Sequence, residues 1–178
     1  MSARSGALNT QVFEGAFASP PLFENGERRF PSAPAGAGAY VAPVGGTIQG
    51  RFGWGNVDLH TVAQTRIAAS DQLGIVLPLR AQSGAMVIGW GWTWQFYDPS
   101  VNAFRIRQGL NVTLMAEGNF WLRFAGGAYA GEPVYASLVD GSAISGETSD
   151  AELTPWIVCS NANPGQLATV STYAKFGD

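Results

Sequence analysis

The strongest alternation in the chain runs from Ala85 to Tyr97, AMVIGWGWTWQFY. Met86, Ile88, Trp90, Trp92, Trp94 and Phe96 fall on one side, and Val87, Gly89, Gly91, Thr93, Gln95 and Tyr97 on the other. A period of two is that of a β-strand with one apolar face; a helix would scatter the three tryptophans around its circumference. Each ring buries roughly 150–250 Å², so this strand is expected at the centre of the core. The glycines opposite would let another backbone approach.

The same period recurs on both sides of it. Ile48, Gly50, Phe52 and Trp54 alternate with Gln49, Arg51 and Gly53 and predict one strand. Leu73–Leu79 is a second, ended or placed at an edge by Pro78, which cannot donate to a ladder. Phe104–Arg107, Val112–Ala116, Phe120–Phe124, Pro133–Ser137, Trp156–Cys159 and Leu167–Tyr173 follow, with Phe120, Leu122 and Phe124 inward and Trp121 and Arg123 outward. Asp98-Pro99-Ser100, Glu117-Gly118-Asn119 and Asp140-Gly141 are turn signals between them. Asn56–Gln72 fits a loop, a short strand near Thr61–Ile67 or a helical turn, and Ala143–Leu153 reads as a surface excursion. About eight short strands with regular turns predict an all-β body, a β-sandwich or small barrel-like, jelly-roll-like domain, over residues 48–178.

Residues 1–47 have another texture. They hold five of the ten prolines and the run SAPAGAGAYVAPVGG, a density that prevents helix and interrupts ladders. Yet they also carry Val12, Phe13, Phe17, Leu22, Phe23, Phe30 and Tyr40, side chains that a disordered tail usually lacks. An extended N-terminal arm that docks these side chains on another surface, or folds them back on its own body, fits both facts. At ~3 Å per extended residue such an arm reaches on the order of 100 Å.

Composition narrows the function. Only 13% of residues are charged, about half the usual ~25%, which fits either a large core or a surface covered by partner subunits. The net charge of −3, with Lys175 the single lysine, offers no basic footprint for nucleic acid. No apolar run reaches the ~18 residues of a membrane span, and MSARSGALNTQ lacks the apolar segment of a secretory signal. Synthesis in a cytosol is the expectation.

Catalytic groups are sparse. His60 is the one histidine and Cys159 the one cysteine; together they fall short of a zinc site, and no nucleophile elbow or phosphate loop is present. Asp140, Glu147, Asp150 and Glu152 form an acidic stretch that reads as solvated surface and lacks calcium-loop spacing. The expectation is a protein that is not an enzyme and holds no cofactor or metal. Trp90, Trp92 and Trp94 could instead form a platform for sugar rings, which makes a glycan-binding β-sandwich displayed on a particle or fibre the alternative.

A series of short motifs adds a resemblance. Gly50-Arg51-Phe52-Gly53-Trp54 is followed by Leu73-Gly74-Ile75-Val76-Leu77 with Arg80, then by the aromatic strand and IRQGLNVTL (Ile106–Leu114). Glu117-Gly118-Asn119-Phe120-Trp121-Leu122, Gly131-Glu132-Pro133-Val134-Tyr135-Ala136 and Asp140-Gly141 complete it. Their order and spacing over Gly50–Gly146 resemble the structural cement, or capsid decoration, proteins of tailed bacteriophages. The chain departs from that pattern at Asn119, where Asp is usual, at Leu110-Asn111, where Phe-Pro is common, and in the richness of its tryptophan strand.

The resemblance implies a virion protein on the outer capsid surface. It would bind the major capsid protein as a homodimer or homotrimer, hold neighbouring capsid subunits together, and contact neither nucleic acid nor membrane. The arm residues Val12, Phe13, Phe17, Leu22, Phe23, Phe30 and Tyr40 are then the candidate partner contacts. Phe52, Trp54, Trp90, Trp92, Trp94, Phe96, Phe120 and Trp121 are candidates for the core or an oligomer interface.

Overall fold

A computed structural model describes residues 14–15, 40–56, 58–66, 72–78 and 95–174. Among them there are thirteen strands and no helix. The fold is all-β, as the alternation predicts.

The first barrel contains β1 (Tyr40–Val41), β4 (Thr61–Ala63), β3 (Phe52–Asn56), β5 (Gln72–Pro78) and β8 (Asn111–Met115), closed by β8 pairing with β1. Its neighbours are antiparallel except β1 and β4, which run parallel. A five-stranded barrel is narrow, and β3 shows how the sequence meets that limit. Phe52 and Trp54 point out of the barrel, while Gly53 and Gly55 point in. A Cβ on Gly53 would stand 2.6 Å from Val76, and one on Gly55 2.6 Å from both the Leu114 methyl and the Tyr40 ring. The interior is filled by Tyr40, Val62, Val76, Val112 and Leu114, with Ala42 and Ile106 in the same cluster.

The second barrel contains β10 (Pro133–Ser137), β11 (Ala143–Ser145), β9 (Asn119–Phe124), β13 (Gln166–Ser171) and β12 (Ala151–Val158), closed by β12 on β10. Phe120, Leu122 and Phe124 face inward with Val134, Ala136, Ala168 and Val170. The β10–β12 register shifts between Pro133 and Tyr135. Pro155, without an N–H, sits exposed in that irregular stretch, while Trp156 turns inward. The Trp156 ring meets Phe52 edge-on at 5.5 Å. Phe52, Trp54, Ile75, Leu77 and Met115, from the outer face of the first barrel, therefore belong to the same apolar cluster as the second barrel's interior.

A three-stranded sheet in the order β2 (Thr47–Ile48), β7 (Ala103–Ile106), β6 (Gln95–Asp98) completes the described chain. Of the tryptophan strand expected at the centre of the core, only Gln95–Tyr97 is described. Residues 85–94, with Trp90, Trp92 and Trp94, lie outside the described residues. Among the described residues Gln95–Asp98 is the last strand of this sheet, and Phe96 is 39% exposed. Register gives the reason: Gln95 lies opposite Ile106 and Phe96 opposite Arg105. Ile106 is fully buried, so the parity that takes it inward turns Phe96 outward, where Arg107 covers the ring at 5.6 Å.

Three other expectations change. The strand expected over Ile48–Trp54 is broken at Gly50, whose φ of 82° no strand residue adopts. Ala143–Leu153 is not one excursion but contains β11 and the start of β12; Ala143 pairs in parallel with Phe124. Tyr40 and Val41, in the stretch assigned to the arm, form a strand of the first barrel.

Candidate functional site

Two regions bear on how the arm and body could meet a partner. The first is the seat of residues 14–15. Arg123 and Trp121 belong to β9, one edge of which is taken by β13. The other edge pairs with β11 at Phe124; beside Trp121 on that edge sits the Glu14–Gly15 turn, whose Gly15 N–H donates to the Trp121 carbonyl at 2.7 Å. Gly15 rests on Gly50. Both have left-handed φ, 78° and 82°, and a Cβ on Gly15 would lie 2.5 Å from Gly50 Cα. Only glycine at both positions lets the two backbones touch.

The Glu14 side chain goes down into the body and is 6% exposed. Arg123 Nε stands 3.9 Å from Glu14 Oε2, while Arg123 Nη1 donates to the Gly165 carbonyl at 2.6 Å. Arg51 also acts on Glu14 electrostatically, but its guanidinium is engaged by Asp140 at 2.8 Å. Glu14 Oε2 and Arg123 Nε have no hydrogen-bond partner among the described residues. Burial raises the Glu14 pKa to about 7; Arg51, Arg123 and the Arg123 N–H act to lower it, and Asp140 adds to the rise. Desolvation prevails because neither cation closes a hydrogen-bonded pair with Oε2.

Asp140 behaves in the opposite way. Burial would raise its pKa, but hydrogen bonds from the Ser142 hydroxyl and amide and from Ser137, together with Arg51, hold it below the usual carboxylate range. The loop that presents it is pinned by backbone: Phe52 N–H donates to the Gly141 carbonyl at 2.8 Å.

The second region is the β6–β7 hairpin. Asp98 accepts from Ser100 N–H and Oγ and from Arg105 Nε, and Arg105 reaches the Gly45 carbonyl. Hydrogen bonds from Ser100 and Arg105 hold the Asp98 pKa low. On the opposite face Tyr97 and Phe104 meet edge-on at 5.9 Å. Tyr97 is 51% exposed, and its hydroxyl donates to Asn102.

Of the candidate partner contacts, Val12, Phe13, Phe17, Leu22, Phe23 and Phe30 lie outside the described residues. Tyr40 is buried in the first barrel, its hydroxyl donating to Gln72 at 2.8 Å. Phe52, Trp54 and Phe120 are buried in the core and Trp121 is half-buried. His60 lies exposed on a turn with φ 51°. Burial raises the Cys159 pKa, the wrong direction for a reactive thiolate. Two of the four acidic candidates are structural: Asp140 pairs with Arg51, and Glu152 pairs with Arg66 at 3.3 Å and accepts from Trp54 Nε1 at 3.0 Å. Among the described residues no group of three His, Cys, Asp or Glu is placed to hold a metal ion.

The sequence reading did not single out Glu14, Gly15, Arg51, Arg123 or Asp140 as one constellation. The usable signals were local: a Glu-Gly turn dipeptide set among Val12, Phe13 and Phe17, and arginines inside otherwise apolar strands.

The described residues form a helix-free, all-β protein of two small barrels and a three-stranded sheet. A family model described as "Structural cement protein (E217 gp24/Pam3 gp6)" matches residues 6–173, nearly the whole chain, and the chain belongs to that family of phage structural cement proteins. Its place is therefore in the virion, in association with the capsid. No curated protein matches it.

Proposed function

We propose that the chain binds the outer surface of a phage head and holds neighbouring major capsid subunits together, as a homodimer or homotrimer, with no catalytic step. The observation that carries this reading is the family match over residues 6–173, which spans arm and body together. The arm supplies Val12, Phe13, Phe17, Leu22, Phe23 and Phe30 as apolar contacts, at roughly 25 cal/mol per Å² buried less ordering costs. Many equivalent copies on one shell make modest contacts add up. With few charged side chains, the contact is mainly apolar and hydrogen-bonded, so binding depends weakly on salt.

The test is reconstitution on heads lacking this protein. Adding the purified full-length chain should place density on the outside of the shell at joints between capsid subunits and raise the temperature at which heads rupture. Occupancy should hold from low to high salt. Heads that stay bare, or rupture at an unchanged temperature at full occupancy, would refute the cement role.

A further inference from the structure

We propose that Gly50, Arg51, Trp121, Arg123 and Asp140 form a receptor for the Glu14–Gly15 turn, and that its hold on the arm is set by protonation of the Glu14 carboxyl. The acid form is held more tightly than the ionised form. The inference does not depend on the capsid reading, because it concerns contacts within one chain.

The geometry separates two kinds of recognition. The backbone part is independent of pH: Gly15 N–H on the Trp121 carbonyl, and glycine packed on glycine. The side-chain part is not. Glu14 Oε2 is buried without a hydrogen-bond partner among the described residues. The charged and titratable groups that face it are Arg123 from β9, Arg51 from the segment before β3, and Asp140 from the loop between β10 and β11. Arg51 is already committed to Asp140, and Arg123 to the Gly165 carbonyl. A carboxylate placed there loses its water, and its nearest cation, Arg123 Nε at 3.9 Å, stands beyond hydrogen-bond distance. A neutral carboxyl, with less to lose on burial, fits at lower cost.

The sign follows from linkage. The Glu14 pKa is about 7 when seated, against an ordinary 4.5, so the seated state binds more protons. The extra hold is fully present below about pH 4.5 and is lost as pH rises through about 7. The seating equilibrium should fall by about tenfold between pH 6 and pH 8.

The experiment uses the full-length chain with ¹³C-labelled glutamate side chains. Carboxyl chemical shifts give the Glu14 titration, and amide hydrogen exchange, corrected for its intrinsic pH dependence, gives the protection of residue 15. The expected result is a Glu14 midpoint near 7 and about tenfold greater protection at pH 6 than at pH 8. Glu14→Gln, a permanent mimic of the neutral form, should stay protected at both pH values. Gly15→Ala, which cannot rest on Gly50, should lose protection at both and return the Glu14 midpoint to its ordinary value. A wild-type midpoint near 4.5, protection that does not change between pH 6 and pH 8, or the same pH dependence in Glu14→Gln would overturn the proposal.

Discussion

A methyl group at Gly55 would stand 2.6 Å from the Tyr40 ring and the Leu114 methyl, and neither can retreat, since both are buried among β-strands of the same barrel. Gly55→Ala should therefore destabilise by about 1–3 kcal/mol through overpacking, read as a lower urea midpoint at unchanged slope. Thr113 presents the reverse case. Its hydroxyl is fully buried and has no hydrogen-bond partner among the described residues. Thr113→Val keeps the shape and removes the buried hydroxyl, so it should raise stability by about 1 kcal/mol in the same measurement.

At the scale of elements, the first barrel depends on two residues of β1. Tyr40 and Val41 pair with Val112 and Asn111 on β8, and Ala42 continues the contact through the Leu110 carbonyl. A chain beginning at residue 39 should keep that closure; one beginning at residue 46 should unfold with at least about 3 kcal/mol less stability, the cost of losing a buried aromatic. Denaturant titration of the two truncations checks this. Such short strands explain where the sequence was legible and where it was not. Phe120–Phe124, Leu73–Pro78 and Leu167–Ser171 are long enough for alternation to show, and each is a strand. β1 and β11 span two and three residues, too few for a period to register; they exist because a barrel needs closing. Phe96 shows the other limit: alternation tells that it shares a side with Trp94, but cross-strand register decides which side faces the core. Glu14 was not legible as part of a site, because its partners come from sequence positions 37 to 126 residues away.

For the whole molecule, the shared cluster that joins Phe52 and Trp54 to Trp156 and Val158 should make the two barrels unfold as one unit. Calorimetry should show a single transition, and Trp156→Ala should lower it by about 3–5 kcal/mol without splitting it; two resolved transitions would mean that the barrels fold independently. The seat of residues 14–15 has one more consequence. With the turn gone, Trp121 to Arg123 would present bare backbone donors and acceptors to solvent, a template on which a second molecule could add a strand. Gly15→Ala should then scatter light at concentrations where the parent protein stays clear.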